Sequence, residues 1–236
     1  SLSVEDTAVP QNPFDMPLEE AALVGEEFED RGRIWLGYYH EPRLIYAETA
    51  FRNGPWKASD RRTVHLAVDA FAPAATPMFA PLRGKVFVAE YRAGHLDYGG
   101  VIILQHETPQ GDPFYTLYGH LDPEFLDRLK PGQVVEKGEE FCRLVDPTMN
   151  GGWAPHVHFQ LALTTEGIET DWPGVGDPDE MYMWRGICPN PAALLNLPDS
   201  KVRYFPTAKD EVLNKRRAQF GGNLSLTYDD PIMLVR

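Results

Sequence analysis

A chain of 236 residues is long enough for one large domain with additional arms. With 43% hydrophobic and 24% charged residues it has the composition of an ordinary globular protein, and no apolar run approaches the length of a membrane span. Acidic residues outnumber basic ones by 35 to 22, which gives a formal net charge of -13. Because nucleic acids and anionic membranes select basic surfaces, we expect neither as a partner.

The first 32 residues predict an acidic N-terminal arm, interrupted by three prolines, in which only 18–28 has a weak helical pattern. The arm lacks the basic and apolar regions of a secretory signal. The chain starts with Ser, which predicts a processed protein or one part of a longer chain. Its two cysteines, Cys142 and Cys188, are too few for a disulfide framework. We therefore expect free thiols, a reducing compartment and a cytoplasmic location.

Residues 33–198 predict one mainly β domain, with an antiparallel sheet and few short helices. Runs at 34–39 and 44–46 have the composition of strands, the apolar run 101–104 is typical of a buried strand, and the run 114–121 predicts another strand with His120 near its end. Glycine and proline turns separate these short strands, and helical periodicity is nearly absent. This pattern favours antiparallel pairing.

The last third of the chain is less regular. Residues 164–191 predict a long insertion that covers one edge of the domain, anchored by Trp172 and Trp184. A short helix at 191–197 is expected to close the domain. Residues 199–236 predict a separate C-terminal arm.

Two histidines next to an apolar run are the most informative local pattern. Residues two apart in a strand point to the same face, so His156 and His158 are expected to stand side by side. One imidazole of such a pair can hold a metal while the other moves a proton. A half-exposed surface pair is the alternative interpretation.

A second candidate pair is His65 with Asp69, both of which are residue types that bind zinc. Four residues of fully extended strand would separate them by about 13 Å. If they are to share one ion, the strand must therefore bend or twist between them, or the two side chains must lean together. A buried hydrogen-bonded pair is the alternative.

Together with the segment 118–121, these motifs resemble the signature of the lysostaphin-type zinc endopeptidases, and the resemblance covers about residues 60–163. It implies that His65, Asp69 and His158 bind zinc, and that His120 and His156 are the catalytic histidines. It also implies a small antiparallel β-sheet that frames a groove over the metal. Biotinyl and lipoyl carrier domains have a similar pattern of turns and strands, but no lysine at a hairpin tip marks this chain as a carrier.

The family usually has glycine where this chain has Ala67, and the additional methyl group is expected to crowd the metal pocket. The implied activity is hydrolysis of a peptide or small-molecule substrate, with zinc activating a water molecule and His120 or His156 taking its proton. No cofactor other than zinc is expected. His106 is expected to hydrogen-bond near the site. His40 is expected to be structural or exposed, and His95 is expected to lie in a turn.

The C-terminal arm carries a second resemblance. Residues 216–228 and 231–236 look like the opening of class III pyridoxal-phosphate aminotransferase-like enzymes, with the phospho-lyases closest. This implies that the chain is the middle domain of a larger protein, which can also carry a kinase-like domain upstream. The alternative to an active hydrolase is then a zinc-binding scaffold or gating module between those neighbouring domains.

Overall fold

The computed structural model describes residues 34–47, 51, 62–166, 172–198 and 202. The acidic arm 1–32, including the helix expected at 18–28, lies outside this part of the chain. So does the C-terminal arm apart from Val202. The boundaries given above for the three segments therefore stay predictions.

The described chain is mainly β, as predicted, and its sheets are antiparallel. The main sheet has seven strands in the order β1-β3-β10-β7-β6-β5-β8, and two-stranded sheets pair β11 with β2 and β4 with β9. The strands are β1 Trp35–Gly37, β2 Val64–His65, β3 Val68–Phe71, β4 Pro77–Phe79, β5 Gly84–Arg92, β6 Gly99–Glu107, β7 Pro113–Leu121, β8 Val134–Val135, β9 Glu140–Arg143, β10 His156–Ala162 and β11 Val175–Gly176.

Strand β6 explains why the main sheet is covered on both faces. Successive side chains of a strand point to opposite faces. Accordingly, Ile102 and Leu104 belong to one hydrophobic cluster, and Val101 and Ile103 belong to another. All four are at most 1% exposed. The prediction for this run was a continuous apolar, buried strand, and it is confirmed.

Two local predictions were wrong. The run at 44–46 is not a strand but part of a 3-10 helix, Leu44–Ala47, because the backbone closes a turn in which Tyr46 N donates to Arg43 O at 3.2 Å. The insertion contains an unpredicted α-helix, α1 (Met181–Ile187), and the expected helix at 191–197 is a single 3-10 turn, Pro191–Ala193.

Other features of the insertion agree with the sequence. Trp172 and Trp184 are 1% and 8% exposed and pack in the same cluster as strand β6, which confirms them as anchors.

The 3-10 helix Pro123–Arg128 follows strand β7 where a helical turn was expected. In the described part of the chain, no helix is long and apolar enough to cross a membrane.

Candidate metal centre

Strand β10 brings three of the candidate side chains together because it lies between β3 and β7. Its His158 pairs with Asp69 on one side and with Gly119, the neighbour of His120, on the other. His156 lies two residues earlier on the same strand face. Both strand-β10 histidines are buried, at 3% and 4% exposure. The surface-pair alternative is therefore wrong.

His65 reaches the same place through a break in its strand. The chain leaves β2 after His65 and enters β3 at Val68, and β2 pairs with β11 rather than with the main sheet. As a result His65 Nε2 lies 3.1 Å from Asp69 Oδ1, instead of the separation that a straight strand would impose. Of the arrangements that the spacing allowed, the structure has the bend.

Three donor atoms meet at this point. His65 Nε2 and His158 Nδ1 are 3.1 Å apart, and they lie 3.1 and 3.4 Å from Asp69 Oδ1. Asp69 Oδ1 is fully buried, yet no described residue gives it a hydrogen bond of good geometry. A buried carboxylate oxygen in this state is costly unless a cation satisfies it. The donor set of two imidazoles and one carboxylate fits zinc.

Hydrogen bonds on the far side of each imidazole fix the proton there. His65 Nδ1 lies 3.0 Å from the carbonyl of Tyr38, which can only accept a hydrogen bond, and 3.3 Å from Arg43 Nη2, which can only donate one. The shorter contact places the proton on Nδ1. His158 Nε2 lies 2.9 Å from Gln160 Oε1, and the amide of Gln160 is oriented by its own donation to Pro173 O at 3.1 Å. Each imidazole therefore turns an unprotonated nitrogen toward Asp69, as metal ligation requires.

His120 and His156 are oriented in the same way but stand beside the three donors. His120 Nδ1 donates to Asn150 O at 3.1 Å, and His156 Nδ1 donates to Ala154 O at 2.6 Å. In the neutral ring the single N–H proton is then on Nδ1, so Nε2 carries none. His156 Nε2 lies 3.8 Å from Asp69 Oδ1. The pair can therefore accept protons next to the cluster.

Burial controls the charge state of the site. It lowers the pKa of His65 and of His120, and it lowers the pKa of His156 to about 4. Burial alone would raise the pKa of Asp69, but His65 and Arg43 hold that pKa well below its usual range. At neutral pH the centre thus combines neutral imidazoles of His65, His120 and His156 with an ionised Asp69 carboxylate.

A cavity of about 210 Å³ leads to the centre, and His120 and His158 lie among its lining residues. An aromatic and aliphatic cluster forms much of its wall. The members of this cluster are Ile45, Tyr46, Phe51, Leu96, Trp153 and Val175. Ala67 is fully buried and does not line the cavity, so its methyl group does not narrow the approach in the way the sequence led us to expect.

The remaining histidines lie apart from the cluster. His106 hydrogen-bonds to Thr116 Oγ1 at 2.7 Å and to Arg83 O at 2.9 Å, neither of which belongs to the metal centre, so the expectation that it hydrogen-bonds near the site is wrong. His40 is buried and stacks on Tyr39 at 3.9 Å, which is a structural role. His95 lies exposed in a turn at the edge of the cavity.

Sequence reasoning missed three residues that contact the site. Gln160 had a usable signal, because it stands two residues after His158 on the same strand face. Asn150 orients His120 through its backbone carbonyl, and because every residue has such a carbonyl, nothing in the sequence pointed to this contact. Arg43, whose Nη1 lies 2.7 Å from Asp69 Oδ2, is far from Asp69 in the sequence and had no signal.

Residues 63–170, slightly less than half of the chain, match the family model of Peptidase family M23. No protein of curated function matches the sequence.

Similar solved structures include the catalytic domain of the antimicrobial peptidase lysostaphin from Staphylococcus simulans, at 20% identity and a TM-score of 0.36, covering 70% of this chain and 97% of that one. A zinc-containing peptidase from Vibrio cholerae is similar at 22% identity and a TM-score of 0.35, covering 52% of this chain. The match covers 36% of the Vibrio protein, so this chain corresponds to about a third of its length. The segment that carries His65, Asp69 and His158 is thus the part of the chain that matches peptidase family M23.

Proposed function

We propose that this domain is a zinc-dependent hydrolase that cleaves amide bonds in short peptides. The observation that carries the proposal is the pair His120 and His156, which presents proton-accepting nitrogens beside a separate three-donor cluster. A purely structural zinc site fills its fourth position with a protein ligand, whereas a catalytic site leaves that position open. Two oriented histidines next to an open position match the catalytic pattern.

In this reaction the side chains of His120 and His156 accept and donate protons. Zinc, when bound, supplies a Lewis acid that acidifies water and polarises a carbonyl. Nε2 of His156 or His120 accepts a proton as the water oxygen bonds to the carbonyl carbon. The same pair then returns that proton to the leaving nitrogen as the C–N bond breaks. Their neutral state near pH 7 leaves both rings ready to accept it.

The cavity supports a small substrate. Its volume of about 210 Å³ is below the range of about 300–1,000 Å³ of pockets that take drug-sized ligands. Tyr46, Phe51, Trp153 and Val175 belong to one hydrophobic cluster, and all four line the cavity. We therefore favour peptides of a few small residues over the interior of a polymer.

The test is hydrolysis of a series of oligoglycine peptides with free ends, followed through the release of amino groups. The zinc-loaded protein is expected to cleave them, a chelator to stop cleavage, and added zinc to restore it. His65→Ala and His120→Ala are both expected to be inactive, the first without zinc and the second with it. Absence of cleavage in a zinc-loaded wild-type protein, across the series, would contradict the proposal.

A second candidate is a zinc-binding scaffold or gating module that does not turn over a substrate. The near-complete burial of His120 and His156, at 5% and 3% exposure, favours it, because a polymer cannot reach them without movement of the surrounding wall. Stoichiometric zinc together with no hydrolysis of any peptide in the series is the outcome that this candidate predicts.

The wider setting is also a proposal. We place the domain in the cytoplasm, because its two thiols are free and its charge is strongly acidic. We further propose that it adjoins a pyridoxal-phosphate-dependent, aminotransferase-like domain, as the sequence of 216–236 suggests. Reading the native coding sequence on both sides of this segment tests the arrangement.

A further inference from the structure

The segment from Tyr38 to Tyr46 precedes the part of the chain that matches the peptidase family, yet it is bonded directly to the metal centre. Its backbone pairs with that of His65: His65 N donates to Glu41 O at 3.0 Å, and His40 N donates to His65 O at 2.8 Å. The Tyr38 carbonyl also holds the His65 imidazole. One of the three donor side chains is therefore fixed by this segment.

Arg43 fixes a second donor. Its Nη1 lies 2.7 Å from Asp69 Oδ2 and 3.1 Å from the hydroxyl of Tyr46. Its Nε donates to Glu41 Oε2 at 2.9 Å, and the same carboxylate oxygen accepts from Tyr38 N at 3.3 Å. Glu41 is 7% exposed, so the Arg43–Glu41 pair is formed largely away from solvent. An ion pair in such a setting keeps its geometry better than an exposed one.

Gly37 provides the space that this arrangement needs. It pairs with Asp69 across strands β1 and β3. A Cβ atom at Gly37 would overlap Arg43 Nη2 and would lie 3.1 Å from Asp69 Oδ2. A side chain at this position would thus push the guanidinium away from the carboxylate.

We propose that Arg43 is a positioning residue for the metal centre: it occupies Asp69 Oδ2, so that Asp69 offers zinc only its Oδ1 atom. Glu41 balances the charge of the guanidinium and fixes its direction. The centre therefore includes the segment 37–46 as well as the strands that match the family. This inference rests on the proposed function for one assumption, that the bound ion is zinc, and it does not require that the domain hydrolyses peptides.

The experiment measures the zinc dissociation constant of the full chain by competition with a chromophoric chelator. The variants are Arg43→Met, Arg43→Lys, Glu41→Gln and Gly37→Ala. Arg83→Met is the matched control, since Arg83 is exposed and pairs with Glu136 at 3.2 Å. Removal of partners behind metal ligands typically weakens metal binding about 10- to 100-fold, and we expect losses in this range for Arg43→Met and Gly37→Ala. Arg43→Lys is expected to recover part of the affinity, and Arg83→Met to leave it unchanged.

The visible absorption spectrum of the cobalt-substituted protein adds a second measurement, which reports metal coordination and does not change with a general loss of stability. With Arg43 replaced by Met, Asp69 Oδ2 becomes available to the ion, so the visible cobalt absorption is expected to weaken as coordination increases. The Arg83→Met spectrum should equal that of the wild type. If Arg43→Met does not fold, Glu41→Gln and Gly37→Ala, which keep the arginine, decide the question by the same two measurements.

Equal zinc affinities and equal cobalt spectra for the variants and the control would overturn the role of Arg43 and leave the proposed hydrolase intact. A wild-type protein that binds no zinc would instead remove the proposed function itself. The two failures are therefore distinguishable.

Discussion

The imidazole rings of His120 and His156 lie 4.2 Å apart, centroid to centroid. They come from the adjacent strands β7 and β10. A backbone carbonyl holds Nδ1 of each ring, so neither ring can turn that nitrogen toward Asp69. Distance separates the two pairs in chemical role: His156 Nε2 lies 3.8 Å from Asp69 Oδ1, whereas the nitrogens of His65 and His158 lie 3.1 and 3.4 Å from that atom.

The first prediction follows from that separation. Replacing His65, Asp69 or His158 by Ala should remove zinc from the purified protein and lower its melting temperature, since metal binding is coupled to folding. His120→Ala and His156→Ala should keep near-stoichiometric zinc, because the three donors remain. Any hydrolase activity should nevertheless fall about 100-fold or more in both.

Metal analysis of these five variants is the measurement, and His106→Ala is the control. His106 is also a buried histidine, but its partners are Thr116 and Arg83, so its loss should lower stability without releasing zinc. If His156→Ala loses zinc as completely as His158→Ala, the five side chains form one closed structural site and the division of roles is wrong.

The second prediction concerns pH. Burial lowers the pKa of His65, His120 and His156, the last to about 4, whereas each would titrate near 6.5 in the unfolded chain. Between these values the unfolded state binds more protons than the folded state. The metal-free protein should therefore lose stability as the pH falls from about 6.5 toward 4, by up to about 1.4 kcal/mol per pH unit for each such histidine. Asp69 adds to this loss only toward the lower end of the window, because its carboxyl begins to take up a proton in the unfolded chain near its ordinary pKa of about 3.9 while the folded pKa stays well below that value.

Urea unfolding of chelator-treated protein at several pH values measures this dependence. His156→Gln should fold and should show a shallower slope, because one proton fewer is taken up on unfolding. If the free energy of unfolding of that variant depends on pH as steeply as that of the wild type, His156 does not contribute to the pH dependence.

How much of this could be predicted depends on the range of the interaction. The period-2 pattern around His156 and His158 was sufficient to place both on one strand face, and the apolar run of β6 was sufficient to predict a buried strand. The separation of His65 and Asp69 along a strand showed that a bend, a twist or leaning side chains would be needed to bring them together, without deciding among these. These inferences are local, and each needs only a few consecutive residues.

The parts that sequence reasoning missed depend on strand register and on contacts between distant segments. Arg43 meets Asp69 only because β1 pairs with β3 and leaves room at Gly37. The 3-10 helix Leu44–Ala47 has the composition of a strand, and its tertiary contacts override that preference. Asn150 orients His120 with a backbone carbonyl, so its residue type gives no warning of the role.

The third prediction concerns the thiols. Cys142 and Cys188 are fully buried, and burial raises the pKa of Cys142 to about 12 and that of Cys188 to about 11. Since the thiolate is the reactive form, neither should react with a thiol reagent at pH 8 in the folded protein. After unfolding without any reductant, two thiols per chain should react. A count below two would indicate a disulfide and would argue against a reducing compartment.

The last prediction uses a glycine that lies against a donor side chain. A Cβ atom at Gly174 would lie 2.8 Å from Cε1 and 3.1 Å from Nε2 of His158, and it would overlap the hydroxyl of Tyr98. Contacts this short force a neighbour to move. Gly174→Ala should therefore displace the His158 ring from Gln160, and zinc affinity should fall about 10- to 100-fold, as expected when a partner behind a ligand is lost.

Gly186→Ala is the matched control for this substitution. Gly186 lies in α1, and no atom lies within 4 Å of a Cβ built there. The change should leave zinc affinity unaltered and should raise stability by up to about 1 kcal/mol, since alanine is the better helix former. Chelator competition and thermal unfolding of both variants give the comparison. Both variants add one methyl group, so a loss of zinc affinity in Gly174→Ala alone assigns the effect to the contact with His158. Equal zinc affinities would show that the atoms around Gly174 can move aside without disturbing His158.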